Sequence, residues 1–416
     1  MTSSFLRNAV VLGLISAIGP FAIDMYLPAL PTIADNLHAS TAATQMTLMA
    51  FFIAFGLCQI VYGPVSDMAG RKAPLYFGLV VYALGSAGCA LAPSIGWLIA
   101  FRALQGVGAA SVMVIPRAII RDLHTGIEGA RLMALMMLVI SVSPILAPVT
   151  GSALIVPFGW RAVFLAVTIA AALALVLLAT MLPETLQREN RVRLEWASLA
   201  SGFATLFRDP RFLGLTFIGG LGMASFFTFL ASASFIYIDH YGLGPTAFSI
   251  AFSLNAIGFI GSSQLAAWLG GRFGLTRLVT VSVAGYAAVL GLLLAVTLIG
   301  VDSLPVLMAF LLVGFSFMGL VIPTTMVMAL DEHGPIAGMA AALGGTLQML
   351  VGGAMIVVAS AVFNGTVLPM VALMTACAWG ALALAVLTLR RKAAADLEPD
   401  GEAEPVAIKV ESEAAE

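Results

Sequence analysis

Twelve apolar runs dominate the pattern of the chain, and polar segments that carry most of the charge separate them. Each run is long enough to cross a membrane as a helix, since a spanning helix needs about 20 apolar residues. The runs cover residues 9–30, 44–63, 74–92, 95–119, 132–156, 163–182, 212–238, 246–269, 276–299, 304–330, 336–361 and 367–389. The pattern predicts an all-α membrane protein of twelve transmembrane helices in two pseudo-symmetric six-helix bundles.

A long polar segment divides the runs into six plus six. It covers residues 184–211 and lies between an N-terminal bundle, 1–183, and a C-terminal bundle, 212–392. A glycine-rich stretch follows the second run of each half, ending near Gly70 and near Gly274, which is the weak repeat expected of a transporter built from two similar halves. Residues 393–416 are rich in acidic residues and alanine. This composition predicts a disordered tail.

Composition excludes a soluble protein. Hydrophobic residues make up 61% of the chain and charged residues 10%, whereas soluble domains carry about 25% charged residues. The net charge of −2 gives no basic surface for a nucleic-acid partner. The three cysteines, Cys58, Cys89 and Cys377, lie far apart within apolar runs, so we interpret them as buried hydrophobic residues and expect no metal site.

The placement of Lys and Arg predicts the orientation in the membrane. With the N-terminus inside, almost all of these residues fall in cytoplasmic segments, while Arg161 lies in an outer loop and Arg102 within a run. Because cytoplasmic loops carry an excess of Lys and Arg, we expect both termini to be cytoplasmic. One chain supplies a complete six-plus-six bundle, so we expect a monomer.

Two charged residues lie well inside predicted spans, where charges are costly and mark functional sites. Asp24 in the first run and Arg102 in the fourth lie at similar depths, about 10 Å from the outer end of their helices at 1.5 Å per residue. We therefore expect facing helices to bring them near each other. A structural ion pair is one interpretation, and proton coupling through Asp24, tuned by Arg102, is the other.

Four motifs in order resemble the major facilitator superfamily. They are DMYLPALP (24–31), GPVSDMAGRK (63–72), RALQGVGAA (102–110) and PILAPVTG (144–151). Together with GWR at 159–161, PETL at 183–186 and the stretch 337–348, they resemble the twelve-helix drug:proton antiporters, specifically the bicyclomycin and chloramphenicol/florfenicol resistance (Bcr/CflA) subfamily. The resemblance covers about residues 5–392.

The resemblance implies a cytoplasmic gate in the second motif. Gly63, Asp67, Gly70 and Arg71 belong to it, and Asp122 matches the acid that pairs with the arginine near the fourth helix. The family pattern also implies that Asp67 faces the N-terminus of the eleventh helix, where the helix dipole favours an acid. Met68 departs from the family, which has a basic residue there. Flanking charge placed by the positive-inside rule would explain Lys72 but not Asp67.

The fifth helix matches the motif that distinguishes exporters from importers. Pro144, Pro148 and Gly151 remove backbone donors and permit close helix approach, and the resemblance implies that they shape the seam between the halves. A kink without a directional role is the alternative. Gln105 and Gly106, next to Arg102, match a motif assigned to proton transfer, although Gly106 and Gly108 also suit simple packing.

Candidate substrate contacts follow from alternating access, which places the site at the midplane between the halves. The candidates are polar, aromatic or Met residues near that depth, and Met and Phe supply adaptable apolar walls. They are Tyr26, Gln45, Phe52, Gln59, Gln105, Met113, Phe226, Phe227, Tyr237, Asn255, Phe315 and Gln348.

The resemblance implies a proton-coupled transporter of the bacterial inner membrane that exports amphipathic drugs such as phenicols or bicyclomycin. Its partners are small amphipathic molecules, protons and the lipid bilayer, and the proton gradient takes the place of a cofactor. A proton-coupled exporter of a metabolite, such as an amino acid or a sugar, is the alternative. No nucleophile–base pair or metal cluster within the spans indicates an enzyme, and no appended domain indicates a sensor.

Overall fold

The computed structural model describes residues 3–124, 126–191 and 196–395. These residues form fourteen helices, most of which follow one another after short turns. They are α1 (Ser3–Asp24), α2 (Leu30–Asn36), α3 (Thr41–Ala69), α4 (Lys72–Leu91), α5 (Ile95–Leu123), α6 (Gly126–Phe158), α7 (Arg161–Met181), α8 (Trp196–Arg208), α9 (Pro210–Ser234), α10 (Pro245–Phe273), α11 (Leu275–Leu298), α12 (Leu304–Asp331), α13 (Ala337–Val362) and α14 (Val367–Ala395).

Twelve segments of the described chain are long and apolar enough to span a membrane, which confirms the predicted number. Ten are single helices, and two are composite. The first span, Arg7–Asn36, joins α1 to α2, and the seventh, Pro210–His240, continues α9 by a π-helical turn at Phe235–His240. The helices run beyond the predicted limits: α14 continues to Ala395, so the first three residues of the predicted tail are helical. The rest of that tail lies outside the described residues.

The first span is broken where the sequence predicted a continuous helix. α1 ends at Asp24, a 3₁₀ turn covers Leu27–Ala29, and α2 starts at Leu30. Two prolines explain the break, because a proline has no N–H to donate to the carbonyl four residues earlier. Pro28 leaves the Asp24 carbonyl without its helical donor, and Pro31 does the same to Leu27.

The polar linker between the halves contains a helix of its own. α8 covers thirteen residues and has a strongly apolar face. Leu206 on that face is fully buried, and the position of Gly202 adjoins Met339 near the start of α13. Asp209 then caps α9, its carboxylate accepting the backbone N–H of Arg211 at 2.8 Å. The α8 part of the linker therefore packs against the second bundle instead of extending into solvent.

The two bundles meet along two seams. At one, α3 of the first bundle packs along α13 of the second; at the other, α6 packs along α10. We call the end of the molecule that holds Arg71, Arg121, Arg208 and Arg272 the basic face, and the other end the opposite face. α3 and α10 run toward the basic face, while α6 and α13 run away from it.

Candidate functional site

Asp24 lies at the break in the first span. It is the last residue of α1 and only 6% of its surface is exposed. Among the described residues, its carboxylate has no hydrogen bond and no ion pair. A buried carboxylate without a counter-charge is costly while ionised, and protonation removes that charge. The position therefore suits a group that takes up and releases a proton.

Arg102 is fully buried, and its guanidinium contacts groups other than Asp24. Its Nη1 donates to the backbone carbonyl of Ala22 at 3.1 Å and to Oε1 of Gln105 at 2.5 Å. The guanidinium carbon lies 4.5 Å from the ring centres of both Tyr26 and Phe51, so the cation is held between two aromatic rings.

The ion pair considered between Asp24 and Arg102 is absent from the described structure. The two residues lie close along the first span, since Arg102 reaches Ala22, but the guanidinium points at a carbonyl and two rings. Matching depths fix the height of two side chains in a membrane and leave their rotation about the helix axes free. Asp24 and Arg102 are thus two separate groups that do not pair with each other.

Gln105 and its neighbouring glycines belong to the packed interior of the first bundle. The side-chain amide of Gln105 donates to Ser86 at 2.8 Å, which extends the Arg102 network to α4. A Cβ on Gly106 would lie 2.3 Å from the carbonyl oxygen of Phe51, and one on Gly108 would lie 2.4 Å from the backbone nitrogen of Tyr82. These glycines therefore let α5 touch α3 and α4, as the packing alternative requires.

A carboxylate cluster holds the turn between α3 and α4 at the basic face. Arg71 donates through Nε to Asp122 at 2.8 Å and also pairs with Asp67. Glu184, just beyond α7, accepts the backbone N–H groups of Arg71 and Lys72 at 2.8 and 3.1 Å. Burial alone would raise the pKa of Glu184, but these hydrogen bonds outweigh it and lower the pKa below its ordinary value.

Backbone geometry explains the glycine in this turn. Gly70 has a φ of +92°, which side chains disfavour, and a Cβ there would come within 2.7 Å of a carboxylate oxygen of Glu184. Gly63, one turn before Asp67, has open space around it. In the sequence, Glu184 is one residue of the PETL motif, and nothing there indicates its partner. The structure shows that it caps the N-terminus of α4.

The expected contact of Asp67 with the eleventh span, α13, is not formed. The side chain of Asp67 is 50% exposed and its partner in the described structure is Arg71, in the same bundle. Another ion pair at the basic face, between Arg211 and Glu332, also joins two residues of one bundle. His333 similarly binds Asp209 at 2.8 Å within the second bundle and its linker. These pairs order each bundle without tying the two together.

Hydrogen bonds between the bundles lie instead at the opposite face and at mid-depth. A side chain of one bundle donates to a backbone carbonyl of the other in each case. The bonds are Gln45 to Ala231 at 3.0 Å, Ser234 to Leu27 at 2.7 Å, Ser249 to Pro148 at 2.8 Å, Ser253 to Ile145 at 2.7 Å and Thr346 to Gly56 at 2.7 Å. The described conformation is therefore closed at the opposite face.

The proline-containing fifth span takes part in this closure. α6 runs without interruption through Pro144 and Pro148, and the carbonyl of Pro148 accepts Ser249 of α10. Gly151 lies against the break in the first span, since a Cβ there would be 2.0 Å from the carbonyl oxygen of Met25. This segment thus lies at the seam, where the resemblance implied it would act.

The central aromatic side chains of the two bundles stack directly on each other. The rings of Phe52 and Phe227 are 3.9 Å apart at an angle of 24°. Phe226 and Phe315 belong to the same cluster, which also includes Phe229 and Phe252, two residues that the sequence did not single out. Apolar character alone does not distinguish a ring at this interface from one that faces lipid.

The remaining substrate candidates occupy varied positions around this cluster. Tyr26 and Gln45 are fully buried, and Gln45 binds across the interface as described above. Asn255 donates to the hydroxyl of Tyr237 at 3.4 Å within the second bundle. The three others are partly or largely buried: Gln59 beside Gly345 of α13, Met113 beside Gly19 of α1, and Gln348 beside Gly219 of α9.

A cavity of about 840 Å³ opens at the basic face between α1, α6 and α10. Its walls are apolar, with a charged rim and one amide. The lining residues are Phe5, Glu128, Arg131, Ala134, Leu135, Met137, Leu138 and Gln264. None of the substrate residues predicted from the sequence lines it, since those lie deeper, in the packed interface between the bundles.

Comparison with known proteins agrees with the twelve-span fold described above. The Major Facilitator Superfamily matches residues 12–356. The MFS-type transporter YdgK of Bacillus subtilis is 35% identical over 83% of this chain and 87% of its own. A bicyclomycin resistance protein homolog of Haemophilus influenzae is 30% identical over 88% of this chain and 92% of its own.

Solved structures share the fold at low sequence identity. A nucleoside transporter, NupG, has a TM-score of 0.72 at 14% identity, covering 93% of this chain and 99% of its own. A bacterial homolog of the human lysosomal transporter Spinster, in an inward-facing and unoccupied conformation, has a TM-score of 0.70 at 15% identity, covering 94% and 98%.

The family match covers most of the chain, and it is a family of transporters and not of enzymes. Twelve spanning helices and bacterial relatives place the protein in the inner membrane as a multi-pass transporter of small molecules. The chain therefore belongs to the Major Facilitator Superfamily.

Proposed function

We propose that this transporter exports amphipathic drugs or antibiotics in exchange for protons. Several relatives carry names that refer to resistance, among them the bicyclomycin resistance protein homolog and multidrug resistance protein D of Escherichia coli, which is 31% identical over 63% of this chain. The aromatic cluster between the bundles suits amphipathic molecules, because rings bind apolar surface with little demand for fixed polar contacts.

The observation that supports proton coupling is the environment of the Asp24 carboxylate. It is buried, lacks an ionic partner in the described structure and lies at the break of the first span, next to the closed end of the interface. In the proposed cycle Asp24 takes a proton when the opposite face is open and releases it when the basic face is open. Arg102, held by two rings, provides a fixed positive charge nearby and stays charged throughout.

Orientation and gating complete the proposal. With the basic face cytoplasmic, as the positive-inside rule predicts, the described conformation faces inward. The cluster of Asp67, Arg71 and Asp122 then stiffens the turn at the cytoplasmic rim of the first bundle. When the bundles rock to the outward-facing state, Asp67 approaches the N-terminus of α13, where the helix dipole stabilises an acid. The proton gradient is the energy source, and one chain acts as a monomer.

The test is uptake of a radiolabelled phenicol into proteoliposomes, driven by a pH gradient. We expect wild-type transport to collapse with a protonophore and Asp24→Asn to show no gradient-driven uptake. Asp35→Asn is the matched control, since Asp35 lies near the end of α2 outside the buried break. Gradient-driven transport by Asp24→Asn at the wild-type rate would contradict the role of this residue.

A further inference from the structure

Two serine hydroxyls are buried in the first bundle without a hydrogen-bond partner. Ser16 of α1 is 1% exposed and Ser143 of α6 is fully buried, and neither hydroxyl bonds to a described group. Other hydroxyls of α6 differ, since Thr150 and Ser152 donate to carbonyls of their own helix at 3.0 and 2.9 Å. A buried polar group is costly unless it is hydrogen-bonded. The two serines therefore indicate a polar molecule between the helices, and water is the smallest one.

The packing of α1 along α6 places these two serines side by side. A Cβ on Gly13 would lie 3.4 Å from Cγ2 of Val139. A Cβ on Gly151 would lie 2.0 Å from the carbonyl oxygen of Met25. The two residues of each pair are 126 positions apart in the sequence, so the helices run parallel and in register. By this register the two serines lie within one residue of the same level.

Prolines add backbone carbonyls that lack their helical donors at the same level. Pro20 of α1 has no N–H to donate to the carbonyl of Ser16. In α6, Pro144 deprives Ile140 of its helical donor in the same way, and Pro148 deprives Pro144. These carbonyls lie within one turn of the two serines. Together with the hydroxyls they offer the two to four polar partners that a buried water needs.

This group of polar atoms lies between Asp24 and the cavity at the basic face. Of the α6 residues that line the cavity, Leu138 lies farthest from that face, about 7–8 Å along the helix from Ser143. Asp24 lies about 12 Å along α1 from Ser16. It shares the side of α1 that contacts α6 with Gly13, because eleven residues make about three turns. Waters about 2.8 Å apart cover each of these gaps with about two to four molecules.

We propose that Ser16 and Ser143 position a chain of water molecules that carries the proton from Asp24 to the cavity at the basic face. The Asp24 carboxylic acid gives its O–H proton to the first water, each water accepts one proton and passes one on, and the last proton leaves into the cavity. Asp24 ends ionised and the waters end unchanged. The inference rests on the proposed antiport and adds the route by which its proton is released.

The route lies within the first bundle. The aromatic rings at the centre of the interface, such as Phe52 and Phe227, stack on each other between the two bundles, whereas α1 and α6 belong to one bundle. Proton release along α1 and α6 therefore does not cross the aromatic cluster. Ser16 and Ser143 are positioning residues, because they hold water and keep their own protons.

Removal of both hydroxyls tests the route. We expect Ser16→Ala/Ser143→Ala to lower kcat for pH-gradient-driven uptake of a radiolabelled phenicol about tenfold with KM unchanged, a smaller loss than the about 10²–10⁴-fold contribution of a direct proton-transfer group. Ser152→Ala is the control, since Ser152 is 1% exposed on α6 but bonds within its own helix. Ser16→Ala/Ser143→Thr, which restores one hydroxyl, recovers part of the rate.

Heavy water distinguishes proton movement from a structural defect. We expect kcat of the double alanine variant to fall more in heavy water than kcat of the wild type, because proton release then limits the rate. An equal isotope effect in the two proteins would overturn the route. An unchanged kcat in the double variant, or an equal loss in Ser152→Ala, would overturn it as well, since a small cavity in α6 would then account for the result.

Detection of the water separates the route from the antiport. X-ray radiolysis converts bound water to hydroxyl radicals, and mass spectrometry locates the side chains that they oxidise. With the full chain in lipid nanodiscs, without a gradient or a drug, we expect oxidation of Ile140 and Pro144 in the wild type and in Ser152→Ala. We expect its loss in the double alanine variant. Val167 of α7, which is buried, gives the background.

The outcomes of the two experiments are distinguishable. Oxidation of Ile140 and Pro144 at the Val167 background in the wild type would overturn the route even if antiport is intact. Oxidation that depends on the two serines, without any gradient-driven transport, would support the water site while the antiport proposal fails.

Discussion

The two seams between the bundles are related by pseudo-symmetry but are built differently. Along α3 and α13, glycines bring the helices close together, and Thr346 bonds to Gly56 at mid-depth. Along α6 and α10, two serines bond to carbonyls near the opposite face, and a cavity separates the helices at the basic face. The difference indicates a close-packed seam at mid-depth between α3 and α13, and a second seam, between α6 and α10, that is bonded near the opposite face and open at the basic face.

Bulk in the close-packed seam has the largest expected effect. Gly56→Ala would put a Cβ 2.8 Å from Cβ of Met349, so one helix must shift. We expect a loss of about 1–3 kcal/mol from overpacking, seen as a lower melting temperature together with slower transport. Gly261→Ala on α10 is the control, since nothing lies within 4 Å of the added Cβ. Equal melting temperatures for the two variants would show that the α3–α13 seam yields as easily as open surface.

Loss of a bond at the other seam has a smaller expected effect. Ser249→Ala removes the donor to the Pro148 carbonyl. This destabilises the conformation that is closed at the opposite face by about 0.5–1.5 kcal/mol. We attach spin labels to Phe158→Cys and Ala247→Cys, at the opposite-face ends of α6 and α10. We expect the distance between the two labels to be longer in Ser249→Ala than in the protein with Ser249.

The control for this measurement is Ser263→Ala, whose hydroxyl bonds within its own helix at 2.8 Å from the carbonyl of Ile260. An unchanged distance distribution in Ser249→Ala, matching that of Ser263→Ala, would mean that apolar packing alone keeps this end closed.

The smallest expected effect concerns a group outside both seams. Because hydrogen bonds lower the pKa of Glu184, its contribution to stability is present above its ordinary pKa of 4.5 and is lost as the pH falls through the lower value. We expect the melting temperature of the wild type to fall more steeply than that of Glu184→Gln as the pH decreases below about 4.5. Glu189→Gln, in the same linker, should follow the wild type; parallel curves for all three proteins would exclude this role for Glu184.

Hydropathy was sufficient for the number and position of the spans, because every spanning segment has to be apolar to lie in lipid. The break in the first span also had a signal, since Pro28 and Pro31 follow Asp24 at spacings that deprive a helix of donors. The helix in the linker also had a signal in the sequence, because Leu199, Phe203 and Leu206 repeat at helical spacing.

The candidate site was harder to predict for a physical reason. The sequence gives the depth of Asp24 and Arg102 but not the rotation of their helices, and a guanidinium at the right depth found a carbonyl and two rings instead of the carboxylate. No pattern in the sequence indicates the serine hydrogen bonds across the α6–α10 seam, because Ser249 and Ser253 resemble ordinary small polar residues of a membrane helix. Only the packing of α10 against α6 shows that their acceptors belong to the other bundle.

The setting of Arg102 has a consequence for the biogenesis of the protein. An arginine in a spanning helix opposes membrane insertion by about 2.5–3.5 kcal/mol at the helix centre. The groups that hold this one are Ala22 and Tyr26 of the first span, Phe51 of the second, and Ser86 of the third, reached through Gln105. All of them leave the ribosome before α5. The groups that bind its guanidinium are therefore already synthesised when the fourth span emerges, so the first bundle can fold while the second is still being synthesised.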